Sequence, residues 1–354
     1  MALKRRRKKP NLHRVRVSPG SVVIIIGWLL LFFAKVHKVL RHNSKTLKAL
    51  FPKPGTENYR IRPLGCRLFL KGVKLGRNVK DPNHGELVLV RGTNETFSVS
   101  IHKRVVDSHM KGYSIRETGT YYQTKTTDLI KDILRNATAE ARVIEVGASF
   151  GWFSLLAHKQ GLKVDVFEPN LVNVLRLCQS LDANHWFDDG LDIYPYGMTA
   201  EDGEVLFQYH DDGTARINDN WGHKAQAFAL DSFARERGWL ERSDEIIAIL
   251  KIDVGNHVPQ VMAGASELLS SGMVKSLILD LTIRHKGDKE QCMDTIQQVM
   301  DAGFELELWG DNELGPAYPS PWQHTAELPT DIIRAMERPK HQKGLTFYWK
   351  YKEE

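Results

Sequence analysis

The chain has 354 residues, 42% of them hydrophobic, which is enough for one large folded domain with appendages. Its formal net charge of +6 hides an asymmetry, because residues 1–54 contain fourteen Lys or Arg residues and no acid. Subtracting those fourteen charges from +6 leaves −8 for the remainder. A nucleic-acid-binding surface on the folded part is therefore disfavoured, and no nucleic-acid partner is expected.

The cysteines predict neither a metal site nor a disulfide framework. Cys66, Cys178 and Cys292 are far apart and form no Cys-x-x-Cys or His/Cys cluster, so no metal is expected. Cys178 and Cys292 lie in helical patterns, which favours small buried side chains. At most one disulfide can form, and this number does not assign a cellular compartment.

The N-terminus is predicted to anchor the chain in a membrane. Residues 1–20 form a basic tail, and the apolar run 22–34 that follows has no charged residue. This run is short, since a spanning helix needs about 20 apolar residues, but Lys35 and Lys38 can extend to the headgroups, so that the helix covers 21–40. A cleaved signal peptide and a buried core helix are the alternatives; the flanking cations and the lack of a cleavage site favour a signal anchor.

Charge also predicts the orientation of this single-pass anchor. The stronger positive block precedes the apolar run, which places the tail in the cytosol and the C-terminal domain in the lumen. A short span suits the membranes of the endoplasmic reticulum or Golgi. Residues 41–63 are polar and contain three of the prolines, which predicts a stalk. In a lumenal domain, Asn94 and Asn136 become candidate glycosylation sites, since each begins an Asn-x-Thr triplet.

A small β-rich cap is predicted over residues 64–119, before a main domain over residues 120–354. Short alternating runs predict strands at Cys66–Leu70, Glu86–Arg91 and Phe97–His102. The cap either covers an edge of the main sheet or helps to form a binding pocket, and the sequence leaves both roles open.

The stretch 143–152 organises the main domain. An apolar run ends in Gly147-x-x-x-Gly151 and a helical pattern follows, which predicts strand, tight turn and helix. The next predicted strand ends in Glu168, where an acid can accept hydrogen bonds from both hydroxyls of a ribose. The glycine spacing differs from that of dinucleotide binders. It favours a nucleoside without a pyrophosphate, such as S-adenosylmethionine.

The remaining pattern alternates strands with helices, which predicts a mostly parallel sheet with helices on both faces. The predicted helices after the glycine turn are 172–184, 257–270 and 289–302. The predicted strands are 192–196, 204–209, 246–253, 274–281, 305–309 and 345–350.

These motifs resemble a known family. The stretches 145–151 and 167–170 resemble the first two motifs of class I methyltransferases, and with 230–233 and 250–254 the ordered set is most similar to the FkbM family. The resemblance covers roughly 118–310. It implies a Rossmann-like class I methyltransferase sheet, S-adenosyl-L-methionine as cofactor, and O-methylation of a glycan or other small hydroxylated acceptor.

One departure from the family concerns the segment after its Lys-Ile-Asp-Val element. The family usually continues with Glu-Gly-x-Glu, whereas this chain continues with Gly255-Asn-His-Val258 and lacks both acids. The fold prediction is unaffected, but the catalytic groups must differ if the chain is active.

Ligands of open α/β sheets bind beyond the carboxyl ends of the strands, which selects the candidate cofactor residues. The glycine turn admits the cofactor backbone, Glu168 binds the ribose, and Glu145 holds the methionine amino group or caps backbone N–H groups. The predicted cofactor-binding residues are Glu145, Gly147, Ala148, Ser149, Gly151, Glu168, Asn170 and Asp231.

Three side chains are candidates for the base that accepts a hydroxyl proton: Asp253, His257 and His285. His257 is favoured over His285, because it opens a predicted helix next to Asp253 and titrates near neutrality. A capping or pocket-lining role for His257, and a cofactor-orienting role for Asp253, are the alternatives.

Two other functions stay open. The missing acids after Val254 would suit a non-catalytic binding or scaffold protein on a methyltransferase fold. The predicted topology alone would suit a type II glycosyltransferase, although the chain contains no Asp-x-Asp triplet.

Overall fold

The computed structural model describes residues 61–74, 85–90, 96–102, 111–187, 190–209, 215–217, 221–241, 245–283, 287–311, 318–319, 327–337 and 344–352. The predicted tail 1–20, the anchor 21–40, nearly all of the stalk 41–63, and the candidates Asn94 and His285 lie outside these residues, so those predictions stay predictions. Among the described residues, no helix is both long and apolar enough to cross a membrane.

An eight-stranded sheet forms the centre of the domain, in the order β5-β4-β3-β10-β11-β14-β12-β13. Its five parallel strands are β3 (Arg142–Val146), β4 (Lys163–Phe167), β5 (Leu191–Tyr194), β10 (Ile247–Ile252) and β11 (Ser276–Leu281). Three antiparallel strands complete one side: β12 (Phe304–Asp311), β13 (Tyr318–Pro319) and β14 (Leu345–Tyr351).

The parallel strands have the order 3-2-1-4-5 of doubly wound folds, and the order reverses between β3 and β10. Beside the fifth parallel strand, a dinucleotide-binding fold has a sixth parallel strand. Here the antiparallel β14 is inserted at this position, next to β11. Every residue of β10 and β11 is buried, as expected for parallel strands covered on both faces. The predicted α/β class with a central, mostly parallel sheet is therefore confirmed.

Helices connect these strands and cover the sheet. They are α3 (Thr124–Asn136), α4 (Trp152–Lys159), α5 (Leu171–Asn184), α6 (Leu230–Glu236), α7 (Val258–Ala263), α8 (Ser266–Ser270), α9 (Asp288–Asp301) and α10 (Leu328–Met336). The helix predicted over 257–270 is divided. Gly255–His257 is a 3₁₀ turn, and the α-helix is interrupted between α7 and α8. The break lies at Gly264, where a Cβ atom would come within 2.3 Å of the Thr199 carbonyl oxygen.

A separate four-stranded sheet follows β5, which the sequence did not predict. Its order is β6-β9-β7-β8, formed by β6 (Gly197–Met198), β7 (Gly203–Tyr209), β8 (Ala215–Ile217) and β9 (His223–Phe228). The strand predicted at 204–209 therefore exists but lies outside the main sheet. Its position depends on antiparallel pairing with β9, which strand periodicity alone does not specify.

The N-terminal cap is mixed rather than β-rich. It contains α1 (Cys66–Lys74), β1 (Glu86–Leu89), β2 (Ser98–Ile101) and α2 (Lys111–Thr118). The strand predicted at 66–70 is wrong, because Cys66, Phe69 and Leu70 form one buried helical stripe while Leu68 is 72% exposed. In so short a run, helical and strand periodicities overlap.

The cap contacts both the main sheet and α5. The Leu64 N–H donates to the carbonyl oxygen of Ile193 in the edge strand β5, at 2.7 Å. In β2, the Ser98 N–H donates to Asn184 Oδ1 and the Ser100 N–H to Ser180 Oγ, both at 2.8 Å. A disulfide between Cys66 and Cys178 adds a covalent link from α1 to α5. Cys178 is thus buried, as predicted, but it is disulfide-bonded, whereas Cys292 is free and buried.

Candidate functional site

The loop after β3 has an unusual backbone. Gly147, Ser149 and Gly151 all have positive φ angles, of 82°, 56° and 86°. Residues other than glycine rarely adopt positive φ angles, so glycine suits positions 147 and 151. Ser149 is held in this conformation by its surroundings. A Cβ atom on Gly147 would lie 2.1 Å from the Asp253 carbonyl oxygen, and one on Gly151 would lie 2.0 Å from Leu177 Cδ2. Both glycines are therefore required by close packing as well as by φ.

Glu168 anchors this loop from the end of β4. It is 4% exposed, and its carboxylate accepts the backbone N–H of Ser149 at 2.7 Å and that of Asn170 at 2.8 Å. Asn170 Oδ1 in turn accepts the Val172 N–H at 3.0 Å and caps α5. Glu168, Ser149 and Asn170 are thus brought together, and Ala148 lies buried in the same loop.

Glu145 is buried inside β3. Its carboxylate accepts a hydrogen bond from the Ser154 hydroxyl of α4, and its partner on the neighbouring strand β10 is Lys251. Burial raises the pKa of Glu145, while the Lys251 charge and the Ser154 hydroxyl act in the opposite direction. A nearby cation therefore stabilises the ionised form of Glu145 in its low-dielectric surroundings.

Asp253 belongs to a charged cluster at the ends of β10 and β11. The Lys251 ammonium lies 3.3 Å from Asp253 Oδ2 and 3.5 Å from Asp280 Oδ2. Asp280 also accepts a hydrogen bond from the Thr346 hydroxyl of β14. Burial, together with the Asp253 charge, raises the pKa of Asp280 to about 7. Burial alone lowers the pKa of Lys251, but the charges of Asp253, Asp280 and Glu145 outweigh it and raise that pKa.

Two tyrosines border this cluster. Burial raises the pKa of Tyr122, and the charges of Asp253 and Asp280 raise it further. The Tyr121 ring lies 4.5 Å from that of Tyr122 and stacks on Trp152 at 5.6 Å between centroids. The segment before α3 therefore supplies part of the site.

His257 lies in the 3₁₀ turn that follows β10. It is partly buried, and its Nε2 atom lies 3.3 Å from the Thr199 hydroxyl oxygen, in the segment that follows β6. The small second sheet therefore reaches the loop after β10. This contact places His257 beside a hydroxyl of the segment after β6.

Asp231 makes contacts that the sequence did not predict. Its carboxylate accepts the backbone N–H groups of Glu267 at 3.0 Å and Leu268 at 2.9 Å, at the start of α8. An acid in this position satisfies free donors and complements the helix dipole. The geometry gives Asp231 a helix-capping role, and its cofactor-binding role stays a prediction.

The sequence reasoning missed several side chains of the cluster: Lys251, Asp280, Thr346, Tyr122 and Ser154. Charged residues inside apolar strand patterns, in Leu250-Lys-Ile and Leu279-Asp-Leu, were the available signal. A buried ionisable group is costly unless it is paired, so its presence in a strand marks an interaction that the local sequence does not show.

The chemistry of the site fits S-adenosylmethionine. Glu145, Glu168 and Asp253 place carboxylates at or near the ends of β3, β4 and β10, where the strand order reverses. An acidic set suits a cationic ligand with ribose hydroxyls and an amino group, and it opposes a pyrophosphate. Within the described residues, no group of three or more His, Cys, Asp or Glu side chains could hold a metal ion.

The fold and the site together define an α/β domain with a group of carboxylates near its strand-order reversal. No protein-family model matches the chain, and no curated protein matches it. The solved structures to which it is similar include an S-adenosylmethionine-dependent methyltransferase from Agrobacterium tumefaciens, at 12% identity and a TM-score of 0.43, over 76% of this chain and 71% of the other. They also include the methyltransferase FkbM from Methylobacillus flagellatus KT, at 14% identity and a TM-score of 0.35, over 59% of this chain and 44% of the other.

Proposed function

We propose that the protein is an S-adenosylmethionine-dependent methyltransferase that acts on a hydroxyl group of a glycan or another small acceptor. The observation that carries the proposal is the set of carboxylates at the strand-order reversal, next to a loop in which Gly147 and Gly151 have positive φ angles. The acceptor class comes from the motif resemblance, since the site itself selects only a neutral or cationic acceptor.

Each residue at the ends of β3 and β4 has a defined part in cofactor binding. Glu168 binds the ribose hydroxyls, the backbone of 147–151 lies against the nucleoside, and Glu145 attracts the amino group. The bound cofactor supplies an electrophilic methyl group on a sulfonium ion. Because that ion is cationic, the carboxylates of the site favour its binding electrostatically.

Asp253 is the proton acceptor in this proposal. Its side chain is 35% exposed, so it can face an acceptor hydroxyl, whereas Asp280 behind it is only 3% exposed. The hydroxyl proton passes to the Asp253 carboxylate as the acceptor oxygen becomes nucleophilic. His257 lines the acceptor side through its contact with Thr199. His285 stays an untested candidate.

Isothermal titration of the full-length protein with S-adenosylmethionine tests the binding step. Wild type is expected to bind, and Glu168→Gln is expected to weaken binding more than tenfold, because a hydrogen bond to a charged group contributes about 1.5–3 kcal/mol. Glu201→Gln is the matched control, since Glu201 is an exposed acid outside the site. Equal affinities of both variants would refute the ribose role of Glu168.

A non-catalytic binding protein is the second candidate, because Gly255-Asn-His-Val258 lacks the acids of the resembling family. Cofactor binding without methyl transfer to any member of a hydroxylated acceptor panel would favour this candidate. Absence of binding would remove both proposals.

We further propose that the domain is lumenal and membrane-anchored. The Cys66–Cys178 disulfide supports an oxidising compartment, where such bonds form and persist. Asn136 is exposed at the end of α3 and available to a glycosyltransferase. Glycosidase treatment of protein from eukaryotic cells should shift wild type but not Asn136→Gln in an Asn94→Gln background. A cytosolic reporter signal from a C-terminal fusion would refute the orientation.

A further inference from the structure

Strand register brings ionisable side chains together across the sheet. Lys251 in β10 is the partner of Glu145 in β3, and Asp280 in β11 is the partner of Thr346 in β14. The β10–β11 register pairs Ile252 with Leu279. The next residues of the two strands, Asp253 and Asp280, therefore come opposite each other. Four strands thus supply two adjacent rows of polar side chains, one with Glu145 and Lys251 and the next with Asp253, Asp280 and Thr346.

One buried cation, the Lys251 ammonium, lies among three acids of these rows. Lys251 is 2% exposed and lies within 3.5 Å of both Asp253 and Asp280, with Glu145 as its cross-strand partner. Three ionised carboxylates around one ammonium would leave two uncompensated negative charges, which is costly in a buried site. Neighbouring acids in such a site share protons, and the acid in the more buried position holds its proton more tightly.

The two aspartates differ in access. Asp280 is 3% exposed and contacts Lys251 and Thr346, whereas the side chain of Asp253 is 35% exposed. Asp280 therefore cannot reach an acceptor directly, but it competes with Asp253 for the same ammonium. The raised pKa of Asp280 is consistent with this competition.

We propose that Lys251 and Asp280, with the Thr346 hydroxyl, are positioning residues that set the proton affinity of Asp253. The inference rests on the proposed function, in which Asp253 takes the acceptor hydroxyl proton: the O–H bond breaks, the carboxylate gains the proton, and water later removes it. An ionised Asp280 repels charge on Asp253 and shares Lys251, which raises the proton affinity of Asp253. A neutral Asp280 leaves Lys251 to Asp253 and lowers that affinity.

The first measurement needs no cofactor. Urea unfolding of the apo protein is followed from pH 4 to pH 8 for wild type, Asp253→Asn, Asp280→Asn and the double variant. The pH-dependent part of the Asp280→Asn effect should differ when Asp253 is absent, since contacting charges are non-additive. Additive effects at every pH would overturn the proposal, because the two acids would then titrate independently.

The second measurement is the pH profile of methyl transfer. In Asp280→Asn the response of kcat/KM to the ionisation of Asp280 near pH 7 should disappear, because a second negative charge no longer develops beside Asp253. Thr346→Val should move that response to higher pH, since loss of the hydroxyl disfavours the ionised form of Asp280. Thr346→Ser keeps the hydroxyl and should leave the profile unchanged.

Controls separate this proposal from folding defects and from the proposed function. If Asp280→Asn does not fold, the Thr346→Val and Thr346→Ser pair carries both measurements. An unchanged response of kcat/KM near pH 7 in folded variants that retain cofactor affinity would overturn the proposal. Non-additive unfolding in a protein that transfers no methyl group would sustain the coupling and refute the enzymatic function instead.

Discussion

At the ends of β3 and β4, the loop 147–151 is positioned by backbone contacts and close packing, with Glu168 accepting two N–H groups. At the ends of β10 and β11, positioning depends instead on ionisable side chains around Lys251. The comparison shows one site with two kinds of rigidity. The first should respond to changes in volume, and the second to changes in charge and pH.

Gly147→Ala is expected to give the largest effect. A Cβ atom would lie 2.1 Å from the Asp253 carbonyl oxygen, in a residue with a φ of 82°, so both strain and a backbone clash are introduced. We expect a loss of about 3 kcal/mol or more in the free energy of unfolding, measured in urea. Gly161→Ala is the control, since Gly161 has a similar φ of 90° but no atom within 4 Å of the place that its Cβ would take. Equal losses would show that strain alone acts.

Asp253→Asn should reduce turnover by roughly 10²-fold or more while cofactor affinity changes little, since a general base contributes about that factor. His257→Ala should mainly raise KM, because His257 contacts Thr199 beside the acceptor side. Steady-state kinetics and titration calorimetry on the two variants provide the measurement. A larger loss of turnover in His257→Ala would make the histidine the base, as the sequence alone favoured.

Ser154→Ala tests the link between the β3–β4 and β10–β11 sides of the site. The Ser154 hydroxyl donates to Glu145, which is the cross-strand partner of Lys251. Removing a donor to a buried carboxylate should cost about 2 kcal/mol of unfolding free energy. Ser270→Ala, at an exposed position in α8, should change stability by less than about 0.5 kcal/mol. Indistinguishable losses would mean that Glu145 finds another donor.

The pH dependence of stability should be specific to the β10–β11 side. The folded-state pKa of Asp280 is about 7 against an ordinary value of 3.8, so only the folded state keeps this proton between about pH 4 and pH 7. Its contribution to the free energy of unfolding therefore falls as pH rises through that window, by at most about 1.4 kcal/mol per unit. Asp280→Asn should remove this component from urea midpoints recorded across the window. A steeper fall in the variant would contradict the assignment.

Local sequence was sufficient for the central part of the fold. Hydrophobic periodicity and the two glycines predicted the strand, turn and helix at 142–159, because a positive φ and a strand-to-helix change are properties of a few adjacent residues. The order of the strands and helices also predicted the α/β class. Glu168 could be placed at a strand end for the same reason.

Tertiary structure decided what depends on residues distant in the chain. The helical stripe at Cys66, Phe69 and Leu70 exists because α5 lies beneath it, and the disulfide needed Cys178 at the same contact. Asp231 could be recognised as a cap only once the first turn of α8 lay beside it. The charged cluster is the clearest case: Glu145, Lys251, Asp280 and Thr346 meet through the registers of four strands. Each strand alone shows only a polar residue in an apolar run, and its partner is set by pairing across the sheet.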